Sequence, residues 1–340
     1  MRKGFNPEKD RLLESTDYTH QVIIPVYIPH LKGYHQDSLR ILRTSLDSLI
    51  NSVHDNTFIS VVNNGSCNEV RKDLENYFYK RQIQELVHTD NIGKLNGILK
   101  AIAGYDFPLI TIADSDVFFC SNWQAETYKV FEAFPRAGTV GLVPQFNMFS
   151  NYCTNTIFDN FFNKSLKFYK IEQPKEMWRF YKSLGWEVKK DHYYFDSILG
   201  IKRGNTMACI GSGHFVATYR KELFTQIERY LPYKLGGTSE KYLDKAALKC
   251  GLWKLTTFNN FAYHMGNSWE DWMGLSSNNA VCKTQNFEPY FKNCRNTWFS
   301  YFIKNKIFKK FLRIKIINKL FLYYMKLPAD LIKKYPRVYY

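Results

Sequence analysis

Through the first 145 residues, short apolar runs rich in β-branched side chains alternate with stretches whose apolar residues recur at spacings of three and four. The runs are QVIIPVYI (21–28), FISVV (58–62), ELVHT (85–89), PLITIA (108–113) and TVGLVP (139–144). A continuous run such as the first suits a strand covered on both faces. Between the runs, Leu39, Leu42, Leu46, Leu49 and Ile50 put one apolar stripe on a helix over 37–53, NEVRKDLENYFYKR reads as a second helix, and a third extends from Gly93 to Ala103. This order predicts βαβ units and a mostly parallel sheet, an α/β chain. Sheets of that kind take their ligands in the crevice outside the carboxyl ends of the strands.

Two polar features stand at such ends. Asn63 and Asn64 close the second run, and Asp114 and Asp116 break PLITIADSDVFF where a strand gives way to a loop. Carboxylates one residue apart at a strand exit can meet at one ion, and hard oxygen ligands suit Mg²⁺ or Mn²⁺, which also bind diphosphate oxygens. A cation there would stabilise charge building on a diphosphate leaving group. The plainer reading is a turn capped by Asp and Ser.

The formal charge of +16 favours anionic partners without choosing among nucleic acid, acidic membrane and phosphorylated substrate. The 7 cysteines include no CxxC pair, which argues against a zinc ribbon or a disulfide framework and fits a reducing cytoplasm. No signal peptide and no membrane-spanning run are expected. From about 150 to 205 the alternation stops in a segment dense in Phe, Tyr, Trp and Lys, which reads as a mostly helical insertion. The pattern resumes in MACIGSGHFVATYR, a glycine-interrupted strand pair, and in SEKYLDKAALKCG, a helix with Ser239 as its cap, Leu243 and Ala247 inward and Gly251 at its end.

Taken together, NIGKLNGILKAIAGYDFPLITIADSDVFF, VIIPVYIP, VVNNGSCNE, SEKYLDKAALKCG and YHMGNSW resemble, in order, motifs of the GT-A glycosyltransferases, particularly the large inverting family 2. The resemblance covers residues 21–145 and 206–270 and implies a Rossmann-like sheet sandwiched by helices, a nucleoside-diphosphate sugar as donor and Mn²⁺ or Mg²⁺ as cofactor. It assigns Asp116 to the metal, with Asp114 beside it on the metal or the ribose, and His264 as a third ligand; the alternative for His264 is a hydrogen-bonded core histidine. Pro25, Tyr27, Asn63, Asn64, Lys94, Asp114 and Ser115 would line the nucleotide site. Asn63 stands where the family has Asp, so its amide adds a donor toward the base. The proton acceptor would be Glu240, at the family's Asp position 11 residues before Gly251, with Asp244 one turn later as the fallback. The helix N-terminus favours the ionised form of Glu240. For both carboxylates the alternative is a solvated helix face paired with Lys241 or Lys245, and for Lys94 it is an exposed lysine opening a helix. Gly211 and Gly213 resemble the segment under the acceptor, or else mark a bend. Trp269 and Trp272 would stack on a sugar, or else pack in the core.

After residue 299 the chain holds eight Lys or Arg and no acid up to Leu327. Ile303, Ile307, Phe311, Ile314 and Phe321 share one face of a helical wheel, so a basic amphipathic helix on an anionic membrane surface is expected, against a helix packed on the catalytic domain. The expected organisation is an extension (1–20), a nucleotide-sugar-binding half (21–145), the helical insertion (146–205), an acceptor-binding half (206–298) and the basic region (299–340). The expected activity is transfer of a sugar, UDP-linked in the first instance, to a saccharide or polyprenyl-linked saccharide at the inner face of the plasma membrane. The alternatives are a nucleotidyltransferase, whose glycine-rich phosphate loop is missing after the first strand, and a non-catalytic membrane or nucleic-acid binder. No recognised nucleic-acid module occurs, so no specific nucleic acid is expected.

Overall fold

The structure, a computed structural model, describes residues 4–6, 8–12, 16–227, 230–235, 237–274, 291, 292, 294 and 296–335, without the side chains of 237–239. The alternation produces β1 (His20–Val26), α1 (Ser38–Ile50), β2 (Thr57–Asn64), α2 (Asn68–Tyr79), β3 (Glu85–Thr89), α3 (Lys94–Ile102) and β4 (Leu109–Ala113). These four strands pair in parallel in the order β3-β2-β1-β4. Because side chains alternate along a strand, Val22, Ile24 and Val26 of β1 enter one core with Leu42, Leu46 and Leu49 of α1, while Ile23 enters a second with Leu95 and Ile98 of α3. Both faces of β1 are therefore dry, which is why its sequence has no polar alternation. β3 is the half-buried edge, and its sequence signal is correspondingly weak.

Then follow β5 (Val117–Phe119), α4 (Trp123–Ala133), β6 (Ala137–Gly141), α5 (Thr154–Asp159), β7 (Lys167–Lys170), α6 (Pro174–Ser183), β8 (Ser197–Arg203), β9 (Thr206–Ile210), β10 (Val216–Arg220), α7 (Gly237–Cys250), β11 (Trp253–Thr257) and β12 (Ala262–His264). The full sheet reads β3-β2-β1-β4-β10-β6-β11-β9-β8-β7, and β12 pairs with β5 apart from it. β9 and β10 are not partners: β10 lies antiparallel between β4 and β6, and β9 lies between β11 and β8. The expected mostly helical insertion needs correction. Segment 146–205 contributes β7 and β8 as well as α5 and α6, and Phe168 opposite Leu199 turns into the core with Phe149 and Ile201. The strand KFYK is only four residues long, too short to register as alternation in so aromatic a stretch.

The basic region is not one amphipathic helix. α8 (Trp298–Phe302), α9 (Phe308–Leu312), α10 (Lys315–Tyr324) and α11 (Ala329–Lys334) are separate pieces, with a π-helical turn over Ile303–Ile307 and a break at residues 313–314. The break divides the expected stripe. Leu312, Phe321, Leu322, Met325 and Leu331 pack into the core beside Phe149 and Leu166, whereas Ile307, Phe311 and Ile314 are half exposed. Among the described residues no helix is long and apolar enough to cross a membrane.

At the amino end of the parallel strands, Tyr128 of α4 bonds His20 Nδ1 at 2.7 Å and His54 Nε2 at 2.8 Å, and His20 Nε2 meets Thr111 Oγ1 at 2.7 Å. Burial, and then the neighbouring His54, lowers the His20 pKa to about 3; burial also lowers that of His54. Unfolding releases both rings to ordinary values near 6.5, so below that pH the unfolded chain binds more protons and stability falls as pH drops from about 6.5 toward 3. Thermal unfolding of the whole chain measured between pH 7 and 4 is expected to show this loss, with a shallower slope in His20→Gln. Equal slopes would remove the histidine from the account.

Candidate active site

The carboxyl end of β4 is where the functional side chains gather, because two strands of opposite direction begin or end beside it. β10 starts next to the point where β4 stops, so the Asp114 N–H donates to the Phe215 carbonyl at 2.8 Å and His214 arrives at the same edge. β12 runs antiparallel to β5, so the Met265 N–H donates to the Asp116 carbonyl at 2.8 Å and His264 comes opposite the second carboxylate.

Asp114 and Asp116 diverge. Asp114 Oδ1 lies 2.5 Å from Lys94 Nζ, whereas Asp116 Oδ2 lies 3.4 Å from His264 Nε2. The expected convergence of Asp114, Asp116 and His264 on one ion is thus not present: among the described residues no group of three or more His, Cys, Asp or Glu has the geometry of a metal site. The cause is an ammonium drawing one carboxylate away. Asp116 nevertheless fits a cation. Its Oδ1 is buried without a hydrogen-bond partner, and burial, with a further push from Asp114, raises its pKa against the pull of His264. Ser183 Oγ, 2.9 Å from His264 Nδ1, fixes the ring so that Nε2 faces the carboxylate. An oxygen and imidazole donor set of this kind suits Mn²⁺ or Mg²⁺.

Lys94 opens α3 and is not an exposed lysine. Gly93 before it has φ +92°, and a Cβ there would run into the Tyr233 carbonyl, so the tight entry requires glycine. The Lys94 ammonium also lies 3.5 Å from Glu240 Oε1. Burial disfavours its charge, but Asp114 and then Glu240 outweigh that and raise its pKa. Glu240, in the first turn of α7, is held on its other oxygen by His214, with Nε2 to Oε2 at 3.0 Å. That hydrogen bond lowers the Glu240 pKa against the opposing effect of burial. Ser239, expected to cap α7, lies outside the described side chains.

Asp244 is not on a solvated face and pairs with neither Lys241 nor Lys245. It is buried, in contact with Lys254 of β11, and 3.7 Å from His214 Nδ1. Its burial is overcome by Lys254 and His214, and its pKa falls to about 2. The Asp244 carboxylate is thus committed inside the protein, behind Glu240 and His214. His214 itself was not singled out in the sequence, where only the glycines of GSGHF drew attention. Its partners lie 26 and 30 positions away, and no local spacing reveals them.

The remaining expected residues divide by burial. Pro25 is buried in β1, and Tyr27 just beyond it is half exposed at the same sheet edge. Ser115 sits partly buried between the two Asp residues. Asn63 Oδ1 accepts the Ser66 N–H at 2.9 Å and its Nδ2 meets His88 Nδ1 at 2.9 Å, while Asn64 Oδ1 accepts the Ile92 N–H at 3.0 Å. Both amides therefore tie loops together. Gly211 has φ +98° and a Cβ there would strike the Met148 carbonyl; one at Gly213 would strike the Gln145 side chain. Close backbone packing and a positive φ account for Gly211, whereas at Gly213 the neighbour is the end of a flexible side chain. The Trp269 ring is covered by the Arg40 guanidinium at 3.5 Å and packs with Ile41, Phe118 and Met265, so at least one face is unavailable to a sugar. Trp272 lines a cleft of about 220 Å³ with Arg179, Tyr263, His264 and Glu270.

The sequence profile of Glycosyl transferase family 2 matches residues 21–199, more than half of the chain. No curated protein sequence matches it. Among solved structures, a fragment of TarS from S. aureus is similar at 13% identity and TM-score 0.43, over 73% of this chain and 60% of that one. The mannosyltransferase PcManGT from Pyrobaculum calidifontis, in complex with GDP-Man and Mn²⁺, is similar at 15% identity and TM-score 0.42, over 71% of this chain and 55% of that one. The chain thus spans little more than half the length of these proteins. With the profile running from β1 through the DSD exit into β8, the chain belongs to Glycosyl transferase family 2.

Proposed function

We propose that the protein transfers a sugar, with inversion, from a nucleoside diphosphate, UDP foremost, to a saccharide or lipid-linked saccharide acceptor in cell-surface glycan synthesis. The observation that carries this reading is that Lys94 joins Asp114, at the exit of β4, to Glu240, at the start of α7. The donor end and the proton acceptor are thereby parts of one cluster. In the reaction the acceptor oxygen attacks the anomeric carbon as its proton passes to Glu240. The bond from that carbon to the diphosphate oxygen breaks, and the electron pair leaves with the diphosphate. Lys94 offers a positive charge to that leaving group. Mn²⁺ or Mg²⁺, when bound by Asp116 and His264, supplies further charge neutralisation of the diphosphate. Pro25, Tyr27, Asn63, Asn64 and Ser115 border the nucleotide side in this reading, and Gly211, Gly213 and Trp269 border the acceptor side.

A thermal-shift panel of UDP, GDP and their sugars with and without Mn²⁺ tests donor and metal together. A metal-dependent shift that disappears in Asp116→Ala is expected. Glu240→Gln is expected to keep that shift and to lower turnover by about 10²–10⁴-fold. Full turnover in Glu240→Gln would move the base elsewhere.

We further propose a peripheral position on the inner face of the plasma membrane. On α10, Ile316, Leu320 and Tyr323 recur at spacings of four and three and are largely exposed, as are Trp298 and Phe299 on α8. Lys306, Lys309, Lys310, Arg313, Lys315 and Lys319 are interspersed with them along the chain. Apolar side chains interspersed with basic ones suit the boundary of an anionic leaflet, where each basic residue contributes about 1 kcal/mol. Flotation with vesicles containing anionic lipid is expected to carry the protein, with much less bound to neutral vesicles or in the Ile316→Asp/Leu320→Asp variant. Equal recovery in all three would remove the membrane from the account.

A further inference from the structure

The proposed base, Glu240, belongs to a line of buried and half-buried charges that alternate in sign: Asp114, Lys94, Glu240, His214, Asp244 and Lys254. His214 is the member whose two ring nitrogens both face carboxylates, Nε2 toward Glu240 Oε2 at 3.0 Å and Nδ1 toward Asp244 Oδ2 at 3.7 Å. A neutral imidazole carries one N–H and serves one carboxylate; only the imidazolium donates to both. Nε2 is within hydrogen-bond distance of Glu240 and Nδ1 faces Asp244 at ion-pair distance, so the ring sits as an imidazolium between two carboxylates and has no lone pair free to take a proton from an acceptor hydroxyl.

Resting on the reading of Glu240 as proton acceptor, we infer that His214 is a positioning residue, an imidazolium clamp that fixes Glu240 through Oε2, while Oε1, beside Lys94, is the oxygen that takes the proton. Asp244 holds His214 in turn, and Lys254 holds Asp244. The clamp also keeps Glu240 ionised before the acceptor arrives. When Glu240 takes the acceptor proton and becomes neutral, Asp244 remains beside His214, so the imidazolium is not left as an uncompensated buried charge.

Among the described residues, the groups around this assembly are Glu240 and Asp244 of α7, Lys254 of β11 behind Asp244, Lys94 of α3 behind Glu240 with Asp114 beyond it, the buried Tyr219 of β10, and Tyr152 and Cys153 beside Asp244. Burial opposes the charge on His214, but its hydrogen bonds to Asp244 and Glu240 prevail and raise its pKa to about 9. The clamp is therefore closed below that pH and opens above it.

The test compares the full chain with His214→Ala and His214→Gln, following nucleoside diphosphate release from whichever UDP- or GDP-sugar the wild type turns over. His214→Ala is expected to lower kcat about 100-fold or more with the donor KM within about threefold, the signature of lost orientation. His214→Gln, which still donates one hydrogen bond, is expected to recover about tenfold of that loss. The wild type should lose activity above about pH 9, and the Gln variant should lack that alkaline limb. Full kcat in His214→Ala, or an unchanged alkaline limb in His214→Gln, would overturn the inference. Imidazole NMR reads the clamp without turnover: the His214 resonance should titrate well above the ordinary value in the wild type and shift toward it in Glu240→Gln. A wild type that releases no nucleoside diphosphate sinks the transferase reading and the catalytic role of His214 with it. A His214 titration unmoved by Glu240→Gln sinks the clamp alone.

Discussion

A carboxylate can leave water only beside a cation, and this constraint arranges the carboxyl edge of the sheet. Asp114, Glu240 and Asp244 come from two elements far apart in sequence, and each is matched by Lys94, His214 or Lys254. Removing any one member strands a neighbour's charge in a poorly solvated place. The cluster therefore fixes the distance between β4, α3, α7 and β10 as firmly as the apolar cores do. Asp116 stands outside the line, with His264 as its ion-pair partner and one buried oxygen without a hydrogen bond.

The same edge explains why β10 runs against its neighbours. An antiparallel strand between β4 and β6 begins where the parallel strands end, which delivers the GSGHF segment to the ligand crevice. A parallel strand there would have placed His214 at the opposite end of the sheet. The close packing of Gly211 against the Met148 backbone then joins that segment to the start of 146–205. The C-terminal helices close the other side of the same core. Their inward residues pack beside Phe149, and Ile316, Leu320 and Tyr323 remain exposed on the outward face.

Much of this was legible in the residues. The parallel half, its helices and the stripe of α1 follow from local periodicity, and the DSD exit follows from two carboxylates placed where an apolar run ends. Glu240 came from the resemblance of SEKYLDKAALKCG to the family's motif, not from a local period. The two strands in the insertion and the divided C-terminal stripe were not legible: KFYK is too short to show a period, and the break at residues 313–314 carries neither Gly nor Pro. Asn63 and Asn64 were read for what they might offer a ligand, but the loops around them use those amides first.

The sequence by itself determined the class of fold and the strand exit where Asp114 and Asp116 stand, because strand and helix periods and strand-end residues are local properties. Only the tertiary structure decided how the acids are matched. Lys94 takes Asp114 away from Asp116, Lys254 takes Asp244, and His214 takes Glu240, since each ion pair depends on which strands the sheet places side by side. No spacing along the chain encodes that order.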